Sequence, residues 1–280
     1  MLTNSRSIFN GSKLEAGQTE YKMKKLMNQI IIKYLFLIVF LLMVSGCATT
    51  SNDPRDPWEG MNRGIQTFND AADDYVIAPV AEGYQWVTPG FVDQGVTNFF
   101  NNIGDIRVTI NDILQFKFNQ GGSDFTRLLI NTTLGLGGLV DVGTMLDFER
   151  HEEDFGQTLG AWGVPTGPYL VLPILGPSSP RGGVGLVGDA AVNPLSYINL
   201  PAVTLGLAGL NLIDSRADFL STSRIAEQAA LDRYDFFKNA YIQRREYLVH
   251  DGNPPVSDDD LFDEDLDLED DYDSGESDED

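Results

Sequence analysis

Apolar positions divide this chain into three kinds of stretch. In the first, they recur at helical spacing. Met61, Ile65, Phe68, Ala72 and Tyr75 fall on one face, after Asp56-Pro57-Trp58-Glu59. That opening carries the marks of a helix start: a capping Asp, Pro at the first helical position and Glu three residues after the cap. Pro79 is expected to end this helix, because its ring and missing amide break the ladder. Thr88-Pro89 opens another, with Val92, Val96, Phe99, Phe100 and Ile103 on its face. Ile106, Ile110 and Leu114 carry the pattern past Asp105. Ser123 is placed to cap a further helix holding Phe125, Leu128 and Leu129. Leu134 to Leu146 is Gly-rich and helical only in part. Asp214 to Val249 is helical again, with Arg244 and Arg245 near its end, where the helix dipole favours them. Few stretches alternate with period two, so the fold class is mainly α.

The second kind of stretch runs from Asp154-Phe155-Gly156-Gln157 to Ser179. Gly or Pro recurs every few residues, so no ordinary helix or strand persists throughout. Phe155, Trp162 and Tyr169 nonetheless mark it as folded and apolar rather than a linker. The third kind has almost no charge. From Phe155 to Ile213 only Arg181 and Asp189 are charged, although charged residues make up 22% of the chain. Pro194, Pro201, Gly206 and Gly209 interrupt its second half, so it is a poor spanning helix. It reads either as a buried core hairpin or as a surface set against lipid.

The N-terminus favours lipid. Basic Lys22, Lys24, Lys25 and Lys33 surround an apolar run from Ile30 to Val44, which ends Val44-Ser45-Gly46-Cys47. This is the layout of a secretory signal over residues 23–46. Cys47 is the only cysteine, so it has no partner within the chain for a disulfide. Val-Ser-Gly-Cys resembles a bacterial lipobox, whose cysteine is acylated. Residues 1–22 are polar and non-periodic, which places the expected start at Met23 and leaves 1–22 as an extension. Residues 47–55 read as a lipidated polar tether, 56–250 as one helical domain, and 251–280 as a disordered acidic tail. From Ser257 onward the tail holds fifteen acidic residues and no basic one. Between 48 and 256 there are 13 basic against 25 acidic residues, which argues against nucleic-acid binding.

Catalytic patterns are weak. No Gly-x-Ser-x-Gly elbow is present. His151 and His250 each read as solvated surface residues, and no spacing of metal ligands or need for a cofactor stands out. Gly183-Val184-Gly185-Leu186-Val187-Gly188 matches a dinucleotide-binding pattern, but Pro194 comes too soon and no acidic residue lies about twenty positions on. Asp141, Asp154 and Asp189 read as helix caps or acceptors for loop amides.

Longer motifs carry a resemblance. Asp56-Pro57-Trp58-Glu59-Gly60-Met61-Asn62-Arg63 with Phe68-Asn69-Asp70, Pro79-Val80-Ala81-x-Gly83-Tyr84 and Asn98-Phe99-Phe100-x-Asn102 come first. Asn111-x-x-Leu114-Gln115, Asn131-Thr132-Thr133-x-Gly135-x-Gly137-Gly138-Leu139-x-Asp141, the 154–179 stretch and Tyr234 with Ala240-Tyr241-x-x-Arg244-Arg245 lie downstream. Together they resemble the MlaA (VacJ) family of outer-membrane lipoproteins. One departure is Gly182-Gly183 after Arg181, where the family usually has an acidic residue. The resemblance implies a ring-like helical domain in the inner leaflet of the outer membrane, with an amphipathic central channel. It implies no enzyme. Phospholipid mislocalised to the outer leaflet would be removed and passed to a soluble periplasmic carrier, linked to an inner-membrane ABC transporter, beside a trimeric porin. A porin scaffold without lipid transfer, or a phospholipase, are the alternatives. Asn69, Asp70, Gly135, Gly137, Gly138, Asp141, Asp154, Phe155, Gly156 and Gln157 are the candidate lipid-path or hinge residues, and Cys47 the lipidation site. Intact-mass measurement of membrane-extracted protein is expected to give a mature chain starting at acylated Cys47, and Cys47→Ala to leave an unprocessed precursor.

Overall fold

A single rod of helix is the first element of the described residues. The structure is a computed structural model that describes residues 53–255. The extension 1–22, the signal 23–46, Cys47 and the tail beyond residue 255 lie outside the described residues. The rod runs from α1 (Glu59–Ala72) through one π-helical turn (Asp73–Ile77) into α2 (Ala78–Val87). Pro79 therefore does not end the helix. The Ala78 amide bonds back to the Asp73 carbonyl, five residues away. That wider turn makes room for the proline ring, and Pro79 stands at the start of α2, where no amide is needed.

Asp56 is not the helix cap. Trp58 takes that position and makes no capping side-chain bond. Asp56 is instead fully buried, accepting from Asn62 Nδ2 at 2.8 Å and from the Tyr234 hydroxyl at 2.5 Å. The described end of the expected polar tether, Asp53 to Arg55, is held against the domain: the Tyr169 amide donates to the Arg55 carbonyl at 2.7 Å.

The next helix, α3 (Gly90–Leu114), begins after Pro89 as its sequence requires. Phe116 then takes a left-handed conformation (φ 63°) and turns the chain. As a result α4 (Phe118–Thr133) starts before Ser123, which lies inside the helix and does not cap it. Two short helices come next, α5 (Val142–Met145) and α6 (Phe155–Ala161). An antiparallel hairpin pairs β1 (Leu170–Leu172) with β2 (Gly176–Ser178), Leu170 opposite Ser178. It leads into α7 (Pro180–Val192), α8 (Pro201–Ala229) and α9 (Arg233–Val249). The helix expected from Asp214 thus starts at Pro201 and is two helices, divided where Asp232 caps α9. The uncharged block is not a buried hairpin, since Val203, Leu205, Leu210 and Leu212 are exposed on α8. Residues 251–255, grouped with the tail by sequence, include Asp251, which pairs with Lys117.

Contacts close these elements into a ring. The α2 helix packs on α8, and α8 on α3. In turn α3 packs on α4, α6 and α7, while α6 meets α9. The hairpin joins α9 to α1 through β2 and β1.

Burial within the ring is inverted. Only two small apolar clusters are buried among the described residues: Ala81, Ala217 and Leu220, and Tyr169, Val171 and Tyr234. The largest fully buried side chains include Arg127, Asn62, Asn111, Asp105, Asp112 and Asp124. Meanwhile Trp86 is 87% exposed, Phe91 81% and Leu205 73%. Water-soluble domains rarely expose so many large apolar side chains. No described helix is long and apolar enough to cross a membrane.

The α6–α7 contact explains the Gly-rich motif. A Cβ on Gly185 would stand 2.6 Å from the Gly156 backbone nitrogen, and one on Gly188 would stand 2.3 Å from the Phe155 ring. The pattern serves close helix packing. Gly185→Ala is expected to destabilise the fold by about 1–3 kcal/mol through overpacking. Gly183 faces open space, so Gly183→Ala should be neutral or stabilising by up to about 1 kcal/mol. Thermal unfolding of both variants in detergent checks the contrast.

Candidate functional site

A half-open cavity of about 850 Å³ lies between α1, the π turn, the hairpin, α8 and α9. Its lining is amphipathic. Ile77, Ile174, Leu175, Leu212, Phe219 and Phe237 supply apolar surface, while Arg216, Arg233 and Arg244 bring positive charge with Asp70 and Asp73 beside them. The π turn begins at Asp73, which binds Arg216 in a two-point fork at 2.8 and 2.7 Å. Arg233 lies 3.6 Å from Asp70, with its guanidinium 5.7 Å from the Phe237 ring centre. Arg244 pairs with Glu152 at 2.5 Å.

Asn69 fixes the hairpin wall of this cavity. Its amide donates to the Leu172 carbonyl at 2.9 Å, and its carbonyl accepts from the Ile174 amide at 2.7 Å. Ile174 sits at φ 66°, a costly conformation for a β-branched residue. Asn69 is thus the clasp that holds a strained tip. Asn62 does the same for β1, accepting from the Val171 amide at 2.9 Å.

The other sequence candidates are brought together elsewhere. Asp154 caps α6, accepting from the Gln157 amide at 2.8 Å. Burial alone would raise its pKa, but Arg245 at 2.5 and 3.0 Å outweighs this and holds it below the usual carboxylate range. Phe155 stacks edge-on against Trp162, and Gly156 gives way to Gly185. Asp154 lines a smaller space of about 170 Å³ next to the central cavity. Asp189 accepts from the Phe155 amide at 2.9 Å, a loop-amide role. Gly135, Gly137, Gly138 and Asp141 form the α4–α5 turn, outside the lining of the central cavity. Gly137 and Gly138 have φ of 76° and 92°, and Gly138 abuts Asn102. Asp141 caps α5 and pairs with Arg127 at 2.5 Å. Arg181 is buried and donates to the Val164 carbonyl at 2.9 Å. Burial and the neighbouring Arg245 depress its pKa.

Sequence reading missed the polar stripe between α3 and α4. On α3, Asn102, Asp105, Thr109 and Asp112 are buried. On α4 the buried residues are Gly121, Asp124, Arg127 and Asn131. These recur at helical spacing as regularly as the apolar residues do, so the signal was present. His151 belongs to this stripe and is not simply solvated. Its Nδ1 lies 3.0 Å from the buried Asp124 carboxylate, while His250 stays exposed. Asp112 accepts from Gln120 at 2.9 Å, but its other carboxyl oxygen has no partner among the described residues. Desolvation first, then the Asp124 and Glu153 charges, push its pKa up to about 8, against the pull of Lys117.

A helical ring with an amphipathic cavity, a polar interior and an apolar exterior defines a class arranged opposite to a water-soluble domain. Residues 54–248 match the model of the MlaA lipoprotein family, and the chain belongs to that family. It is similar to the intermembrane phospholipid transport system lipoprotein MlaA of Escherichia coli (strain K12), with 35% identity over 217 residues. That alignment covers 75% of this chain and 86% of the relative. The protein of the same description from Haemophilus influenzae is 31% identical over 228 residues, covering 78% and 90%. An uncharacterized protein of Rickettsia typhi is 33% identical over 195 residues, covering 69% and 78%. A solved structure described as the structural basis for maintenance of bacterial outer membrane lipid asymmetry matches with a TM-score of 0.63 at 32% identity. It covers 69% of this chain and 98% of its own.

The buried Asp112 carboxyl gives a pH signature. Its folded pKa is raised above the ordinary 3.8, so between about pH 4 and 8 the unfolded chain has lost a proton that the fold retains. Stability contributed at low pH is therefore lost as pH rises through this window. Asp112→Asn, which mimics the protonated acid, should raise the melting temperature at pH 7.5 and change it little at pH 4.5. Parallel thermal melts at both pH values check this.

Proposed function

We propose that this chain is a lipid-anchored outer-membrane component of intermembrane phospholipid transport. It accepts phospholipid mislocalised to the outer leaflet and passes it on to maintain lipid asymmetry. The observation that carries this reading is the inversion of polarity around one amphipathic cavity. An apolar exterior suits a hydrocarbon surround, and an Arg-lined interior suits a phosphate-bearing headgroup. Moving a headgroup through hydrocarbon without such a path leaves its polar groups unsatisfied, and that desolvation is the barrier. Arg216, Arg233 and Arg244 would take the phosphate, and Ile77, Phe219 and Phe237 the acyl chains. The same reading has acylated Cys47 tethering the ring to the inner leaflet. It has a soluble periplasmic carrier receiving the lipid on behalf of an inner-membrane ABC transporter, and a trimeric porin beside the apolar exterior. Transport of this kind makes and breaks no covalent bond.

Cells lacking the chain should accumulate phospholipid in the outer leaflet, and the intact chain should restore asymmetry. Leu205→Asp sets a carboxylate on the apolar face of α8. It should cost about 2.5–3.5 kcal/mol near a bilayer centre, and less toward the headgroups. The variant is expected to stay folded in detergent yet fail to clear outer-leaflet phospholipid. A folded variant with full clearance would remove α8 from the lipid surround, whereas unchanged outer-leaflet phospholipid in cells lacking the chain would favour a porin scaffold. Release of free fatty acid by the pure protein would favour a phospholipase.

A further inference from the structure

The central cavity has two neighbours along α9. The small space of about 170 Å³ shares Leu175, Pro177 and Tyr241 with it. A second chamber of about 430 Å³ shares Tyr241 and Arg245 with the small space. Tyr241 is the residue common to all three linings. On one side of it lie the amphipathic central cavity and the small space that Asp154 and Asp189 line. On the other, Tyr169, Ser179, Arg245 and His250 give the second chamber a set of hydrogen-bond donors.

Tyr241 packs, partly buried, against the cluster of Tyr169, Val171 and Tyr234. Its ring meets Tyr169 edge-on at 5.8 Å, and its hydroxyl makes one long contact, 3.4 Å, to Ser179 Oγ. A tyrosine has two side-chain torsions, so a turn about them would move the ring out of the boundary without disturbing the helix. Tyr169, one of the residues lining the second chamber, has an unmet polar demand. The Tyr169 hydroxyl is buried and has no hydrogen-bond partner among the described residues. A buried donor of this kind is costly until something accepts from it.

Resting on the conduit reading above, we propose that the three spaces form one path and that Tyr241 divides it. A phospholipid headgroup passes from the central cavity, past the Tyr241 ring, into the second chamber. There its phosphodiester oxygens accept from the Tyr169 hydroxyl and Arg245. Tyr241 is a positioning residue, setting how far along the path the headgroup rests.

The test uses the full lipidated chain in cells labelled with radioactive phosphate. The photoreactive p-benzoylphenylalanine replaces Phe237 to report on the central cavity, or Ile242 to report on the second chamber. Labelled phospholipid is expected on both probes after irradiation. At the Ile242 probe, Tyr241→Ala should raise the yield several-fold, Tyr241→Trp should lower it several-fold, and Tyr241→Phe should stay near the native value. Should Tyr241→Ala fail to fold, the Trp and Phe forms against the native chain carry the comparison. Lipid at Phe237 with none at Ile242 would overturn the second chamber and leave the central conduit standing. Equal yields at Ile242 across the series would overturn the dividing role of Tyr241. No lipid on either probe would overturn the conduit itself.

Discussion

Buried charge must be paired, and in this ring that requirement takes over the work a hydrophobic core does elsewhere. Arg127 is 2% exposed and joins α4 to Asp141, to Thr144 and to the Phe148 carbonyl. Asp73 with Arg216 ties the π turn to α8, and Asp154 with Arg245 ties α6 to α9. Between helices surrounded by hydrocarbon, apolar contacts gain little over contacts with lipid, whereas polar groups have few other partners. Once such a pair is buried, removing one member strands the other, at about 3–5 kcal/mol. The ring is therefore specified by its ion pairs and amide clasps, and its apolar residues are free to face outward.

The same inversion explains what could be read from the sequence. Helical periodicity identified the helices, because a 3.6-residue repeat is visible whichever face is buried. It did not say which face was inside. The Val92, Val96 and Phe99 series marked one face of α3, yet the stripe most deeply buried is Asn102, Asp105, Thr109 and Asp112. Pro79 was legible as a breaker only under α-helical geometry, and the π turn before it changes that geometry. Asp56 had the right local pattern for a cap, but Tyr234, 178 residues away, competes for its carboxylate. Of the candidate path residues, Asn69 and Asp70 line the central cavity. The glycines from Gly135 to Gly138 answer to local turn geometry instead. Arg216 and Arg233 escaped notice because charged residues on a long helix normally signify a solvated face.

Gly182 and Arg181 illustrate how a departure in sequence becomes a local electrostatic state. With glycine after it, Arg181 finds a backbone carbonyl rather than a carboxylate. The nearby Arg245 already engages Asp154. Two guanidiniums consequently share the field of a single cap, and the burial of Arg181 is offset by the Val164 carbonyl and by its share of the Asp154 charge.

Ring closure also imposes an order on folding. The contacts that shut the circuit span long stretches of chain: Asn62 to Tyr169, 107 residues apart, and Asp56 to Tyr234, which joins the two ends of the domain. Loops of that span are entropically slow to close. The α3–α4 corner, built from neighbouring segments, can assemble long before the circle shuts. An N-terminal fragment ending before α9 would carry the apolar rind without the partners that close it, and would expose open edges to aggregation. The segment that precedes α1 waits for the last helix of the domain, so the intact circle is a property of the finished chain and of no part of it.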